Sequence, residues 1–191
     1  YMNYQNLNKV NIIGDDEIDP IKLDEKLMKL LTEKSRTKAI YLVLSNWGYP
    51  PFGGGECWLI DTMRWMVEKN YECYYIYFND HQNGQEFSKI EVISFDYGHF
   101  IQFVNDQVTL ITFIKLLAPC VISHQGINRL KYLKTANLLE IPFVTGFCFW
   151  QDIIETSDKS NEIVNQNMED KELIANENFK YIQTNAAYIY A

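Results

Sequence analysis

The run "KAIYLVLSNW" at residues 38–47 is apolar almost without interruption, and it lies between two segments whose apolar residues recur at helical spacing. A strand that is apolar at successive positions needs cover on both faces, as a central strand of a parallel sheet has. The pattern then repeats. "YECYYIYF" (71–78), "CVISHQG" (120–126) and "IPFVTGFCFW" (141–150) read as further strands. "KIEVISF" (89–95) and "FIQFV" (100–104) read as shorter ones, and "FKYIQTN" (179–185) as the last. Helical patterns separate them at "GECWLIDTMRWMVEKNY" (55–71), "QVTLITFIKLLA" (107–118) and "INRLKYLKTANLLE" (127–140). Parallel neighbours need crossovers of about a dozen residues. The alternation therefore predicts an α/β, Rossmann-like, doubly wound and mostly parallel sheet with helices on both faces.

Helix ends carry their own signals. In "IDPIKLDEKLMKLLTEKSR" (18–36), Asp19 suits the N-cap and Pro20 the first turn, while Leu23, Leu27, Leu30 and Leu31 share a face. Asp106 can cap the helix that Pro119 stops. In the 55–71 helix, Ile60, Met63 and Val67 form an apolar stripe that Trp58, Leu59, Trp65 and Met66 widen; Asp61, Arg64 and Glu68 are left for solvent. The acidic stretch 155–177 reads as a surface helix or loop. Residues 1–37 read as an N-terminal extension with a helix, and 38–191 as the Rossmann-like domain.

Bulk properties bound the function. Hydrophobic residues make up 47% and aromatics 15%, which is globular. A formal charge of −8 argues against a dedicated nucleic-acid or anionic-membrane binder and leaves room for a single nucleotide ligand. No run of about 18 uncharged apolar residues offers a membrane span. The first residues lack the layout of a secretory signal. Cys57, Cys73, Cys120 and Cys148 form no CxxC pair, so reduced, buried thiols and a cytoplasmic location are expected.

The segment "LSNWGYPPFGGGECWLIDTMRW" (44–65) is where chemistry is expected. Ligands of such sheets bind outside the carboxyl ends of the strands. Gly53, Gly54 and Gly55 lie there, able to adopt positive φ and lacking a Cβ that would hold a ligand off. The helix starting near Glu56 turns free N–H groups and its positive end toward them. A G-x-G-x-x-G dinucleotide fingerprint fits poorly, because Trp58 takes the place of the third small residue. A P-loop is excluded, since no Gly-Lys-Ser/Thr follows. No H-E-x-x-H and no hydrolase triad can be picked out, and His81 and His99 read as loop residues without a role.

These residues resemble the N-terminal, acceptor-side domain of GT-B type glycosyltransferases, in particular the retaining group called glycosyltransferase family 4. "YLVLSNWGYPPFGGGECW" is similar to that family's strand, P-x-x-GG-x-E-like loop and helix. "APCVISHQG" resembles its strand with a histidine at the tip, "LLEIPFVTGFCFW" the strand that follows, and "FKYIQTNAAYIYA" a later strand, with Asn185 in place of a serine. The resemblance spans residues 38–191.

By that resemblance, Gly53, Gly54, Gly55 and Glu56 face the diphosphate and sugar of a donor, and His124 is the catalytic histidine near the transferred sugar. Asn46, Trp47, Phe149, Trp150 and Asn185 are further candidates for sugar or acceptor contacts. The implied activity is transfer from a nucleotide-sugar to a hydroxyl of a glycan, protein or small molecule. The donor is a co-substrate; no cofactor and no metal are expected, and no Asp-x-Asp occurs. The resemblance also implies a C-terminal donor-binding domain later in the same polypeptide, carrying the family's E-x7-E pair, so that this chain alone is inactive. The E-x7-E spacings at Glu17/Glu25 and Glu169/Glu177 lack that motif's setting and read as coincidence. Two other readings stand beside it: a non-catalytic sugar- or nucleotide-binding module, and a nicotinamide-dependent oxidoreductase, which Trp58 opposes.

Overall fold

In a computed structural model, which describes residues 23–46, 51, 53–78, 89–104, 107–125, 129–146, 184–186 and 188–190, the first apolar run becomes β1 (Ile40–Ser45), buried at every residue. It is the inner strand of a seven-stranded sheet. β2 (Glu72–Tyr77) pairs with it in parallel on one side and β5 (Val121–Gln125) on the other. β4 (Gly98–Gln102) lies outside β2, and β3 (Glu91–Phe95) closes that edge as an antiparallel hairpin partner. β6 (Phe143–Gly146) and β7 (Tyr188–Tyr190) extend the sheet beyond β5. The order is β3-β4-β2-β1-β5-β6-β7. With the hairpin strand set aside, the parallel strands run 3-2-1-4-5-6 in chain order, which is the doubly wound dinucleotide-fold arrangement.

Side chains alternate between two cores. Leu42, Leu44, Ile76, Ile101 and Ile122 face α1 (Glu25–Glu33), α3 (Gln107–Leu117) and α4 (Arg129–Leu138), which contribute Leu27, Leu30, Phe113, Leu117, Leu133 and Ala136. Tyr41, Val43, Tyr75 and Phe100 face α2 (Gly54–Glu68) through Leu59, Ile60 and Met63. Each such aliphatic side chain, fully buried, contributes about 1.5–3 kcal/mol. The helix of the N-terminal segment thus shares the sheet's core. At its end the Lys34 ammonium donates to the carbonyls of Leu116 (2.6 Å) and Leu117 (2.9 Å), capping α3. Burial lowers the pKa of Lys34 and the nearby Glu72 carboxylate opposes that shift.

Several expectations change. Asp24, not Asp19, caps α1: its carboxylate accepts the Lys26 N–H at 2.8 Å, and the backbone before Glu25 is extended. Asp24 stands one residue before α1, so its carboxylate reaches a free N–H of the first turn, and Leu27 and Leu30 are the buried residues of the helix that follows. Asp19, Pro20 and Asp106 lie outside the described residues, as does the stretch 155–177. Trp58 and Trp65 do not widen the buried stripe of α2; they are 42% and 54% exposed on its outer side. His99 is a β4 residue, not a loop residue. Of the expected strand 179–185, residues 179–183 lie outside the described residues and Thr184 and Asn185 are helical; the last described strand is Tyr188–Tyr190, where β-favouring Tyr-Ile-Tyr pairs with β6. Cys57 and Cys120 are exposed and only Cys73 is buried among the described thiols, because Cys57 falls on the outer side of α2 and Cys120 precedes β5. No helix among the described residues is long and apolar enough to cross a membrane.

Candidate functional site

β1 and β5 are neighbours, yet the chain leaves them toward opposite faces: β1 into α2, β5 into α4. Such a reversal opens a crevice at the carboxyl ends of the two strands. The glycine bend is the segment that leads from β1 into α2 at that crevice.

Gly53 is the N-cap of α2, with φ −140° and ψ 176°. This is extended backbone, so the bend uses the small size of glycine here rather than a positive φ. A Cβ on Gly53 would meet the Glu56 Oε2 at 3.0 Å, whereas a Cβ on Gly54 would have no atom of the described residues within 4 Å. Among the described residues no side chain caps the helix, and its first intrahelical bond runs from the Cys57 N–H to the Gly53 carbonyl at 3.2 Å. The N–H groups of Gly54, Gly55 and Glu56 precede that bond and point out of the helix end.

Buried polar side chains gather at this edge. Ser45 and Asn46 end β1, Ser123, His124 and Gln125 end β5, Thr145 lies on β6 and Glu56 in the first turn of α2; all are 6% exposed or less. Burying polar groups is costly without partners, and an edge that only closed a core would be apolar. The Tyr75 hydroxyl belongs to the same corner. Burial raises its pKa, the hydrogen bond with Ser45 pulls it down, and the Glu56 carboxylate raises it further.

His124 does not stand at a surface. Its ring is fully buried, packed edge-on to Tyr132 at 4.6 Å and stacked with Phe143 at 6.3 Å between centroids. Its Nδ1 lies 2.6 Å from the Leu44 carbonyl oxygen, which can only accept, so Nδ1 carries the hydrogen. Alternation along β5 explains the enclosure: position 124 falls on the same face as Ile122, beneath α4. The expected sugar-facing histidine is instead a buried tie between β5 and β1. Asn46 is likewise buried, 1% exposed. Asn185 sits before β7, beside Pro142 and Phe143 at the amino-terminal edge of the sheet, so it cannot join the crevice at the opposite edge. Trp47, Phe149 and Trp150 lie outside the described residues.

The bulk that opposes a dinucleotide fingerprint is not that of Trp58, which faces outward. Glu56, Leu59, Ile60 and Met63 are the α2 residues that meet the sheet, and none is small enough for the close helix–strand approach that the fingerprint's last glycine allows.

A second polar cluster lies at the amino end of β2. Glu72 accepts from the Ser35 N–H and, at 2.6 Å, from the Tyr74 hydroxyl; its carboxylate is 3.9 Å from His99 Nε2, and Ser94 Oγ is 2.8 Å from His99 Nδ1. Burial lowers the pKa of His99, against the raising influence of Glu72 and Glu33. The cluster ties α1 to the sheet. Among the described residues no group of three or more His, Cys, Asp or Glu is placed to hold a metal ion.

Sequence inspection singled out Glu56 but missed Ser45, Tyr75 and Gln125, which are buried at the same edge. A signal for two of them existed, since Ser45 and Gln125 are polar residues closing otherwise apolar runs. No known protein family, curated protein or solved structure matches this chain.

Proposed function

We propose that this chain is the acceptor-side domain of a glycosyltransferase that moves a sugar from a nucleotide-sugar to an acceptor hydroxyl. One observation carries the proposal: a position at Gly54 left open by the described residues, on a helix N-terminus that none of their side chains caps, in the crevice between oppositely wound halves of the sheet. Transfer requires the acceptor hydroxyl to be aligned with the anomeric carbon and the departing diphosphate to be stabilised. In this reading the glycine bend and the polar corner hold the hydroxyl-bearing side. A later domain of the same polypeptide holds the donor, with helix N–H groups and basic side chains in place of a divalent ion. His124 acts by positioning, holding the β5 tip against β1, and not by touching the sugar.

A non-catalytic sugar-binding module is the second reading. The enclosure of His124 favours it, since no described histidine faces the crevice. A donor screen on the full-length protein separates the two. Release of a nucleoside diphosphate from one of a set of UDP- and GDP-sugars, dependent on an added acceptor, is expected; sugar binding without release under every donor and acceptor pair would select the binding module.

A further inference from the structure

Ser94, His99 and Glu72 come from three neighbouring strands, β3, β4 and β2, and meet on one face of the sheet. Ser94 and His99 stand opposite each other in the hairpin. Phe95 and Gly98 close its two-residue turn as the hydrogen-bonded pair, so Ser94 and His99 form the next, non-bonded pair, where facing side chains approach most closely. Ser94 Oγ lies 2.8 Å from His99 Nδ1. The other ring nitrogen, Nε2, is 3.9 Å from Glu72 Oε1, and the Glu72 carboxylate is itself fixed by two donors, the Ser35 N–H and the Tyr74 hydroxyl. An ionised carboxylate only accepts, so it favours hydrogen on Nε2 and leaves the Nδ1 lone pair for the Ser94 O–H. Ser94 is exposed, while the side chains of His99 and Glu72 are 29% and 15% exposed. Burial lowers the pKa of His99 against Glu72 and Glu33, so the ring is a neutral base near pH 7.

We propose that Ser94, His99 and Glu72 form an esterase site, with Ser94 as nucleophile, His99 as base and Glu72 as the positioning residue. A hydroxyl within hydrogen-bond reach of a base that a third group orients is the arrangement of nucleophilic acyl transfer. Ser94 Oγ bonds to the carbonyl carbon of an ester while its proton passes to His99 Nδ1. The ester C–O bond then breaks, and that proton leaves with the alcohol. Water adds to the acyl-serine by the same route, giving a proton to Nδ1; the carboxylic acid departs and Ser94 regains its hydrogen. The Ser94 N–H supplies a donor to the oxyanion of each intermediate. In a non-bonded pair it turns away from β4, and no described strand covers the outer edge of β3. Glu33 and Glu72 disfavour an anionic substrate, and an exposed edge strand suits a small acyl group, so the substrate class is a neutral ester of a short acid. The site lies at the amino-terminal edge of the sheet, opposite the crevice, and stands or falls apart from sugar transfer.

The test treats the full-length protein with an alkyl fluorophosphonate, which phosphonylates an activated serine with release of fluoride, and with p-nitrophenyl acetate. Mass mapping reads the first and nitrophenolate absorbance the second. Phosphonylation of Ser94 is expected, slowed about a hundredfold in His99→Gln, and ester hydrolysis should fall about a hundredfold in both Ser94→Ala and His99→Gln. Ser94→Ala, a change at an exposed position, should melt close to the parent. Glu72→Gln should lower turnover and move the acid midpoint of the rate to lower pH, because the carboxylate that raises the His99 pKa is gone; a residue that only held α1 in place would leave the midpoint unmoved, and that result removes Glu72 from the site. An unlabelled Ser94 in the folded parent overturns the inference, as does equal labelling of the parent and His99→Gln.

Discussion

Alanine at Gly54 and alanine at Gly98 are the same chemical change with opposite expected outcomes, and the contrast tests the open bend directly. At Gly98, φ is +150° and a Cβ would stand 2.5 Å from Met63 Cε and 2.9 Å from the Cys73 carbonyl oxygen. Met63 can swing aside; the Cys73 carbonyl belongs to the β2 backbone and cannot. An unfavourable backbone region costs about 1–3 kcal/mol, and overpacking a further 1–3 kcal/mol or so. Gly98→Ala is therefore expected to lose about 4 kcal/mol, which lowers Tm by roughly 8–16 °C in a chain of this size. At Gly54 an added methyl meets no described atom within 4 Å, and alanine in place of glycine favours a helix by up to about 1 kcal/mol. Gly54→Ala should raise Tm by roughly 1–3 °C, and Gly54→Val should fold while losing turnover, because its branched side chain fills the space the ligand needs. Circular-dichroism melts of both alanine variants, with nucleotide release by full-length Gly54→Val, make the measurement. A Gly54→Ala melt well below the parent would show the bend packed shut, and normal turnover by Gly54→Val would remove it from the mechanism.

Three further outcomes follow from the buried groups. Because burial lowers the folded pKa of His99 below its ordinary 6.5, the unfolded chain takes up the proton first; this contribution is complete above pH 6.5 and is lost as pH falls through the window just below it. Urea titrations from pH 7.5 to 5 should show that acid loss in the parent and not in His99→Gln; parallel curves would refute it. His124→Ala is expected to cost about 3 kcal/mol, from the buried hydrogen bond to Leu44 and the ring packing it removes, and equal urea midpoints would contradict a structural role. In native protein at pH 8, mass-mapped alkylation should modify Cys57 and spare Cys73, whose thiol is pushed up to about 12 by burial first, then by Glu72; early labelling of Cys73 would contradict the packing of β2 beneath α2.

Local pattern was enough to place β1, β2 and β5 and the helices between them. An apolar run of strand length and a helical stripe each announce themselves within a few residues, and the need for crossovers converts their alternation into a parallel sheet. The glycine bend was equally legible, because three adjacent glycines between a strand and a helix are visible without any partner. What such patterns cannot carry is the fate of a polar side chain. His124 reads as a strand-tip group until alternation and α4 enclose it against Tyr132 and Phe143; His99 reads as a loop residue until Ser94 and Glu72, brought from other strands, surround it. Glu56 looks like an ordinary first-turn acid, and only the fold leaves it 6% exposed. Periodicity and propensity are summed over neighbours in the chain and so belong to the sequence by itself, whereas burial and hydrogen bonding depend on atoms that only folding brings together, and the tertiary structure alone decided them.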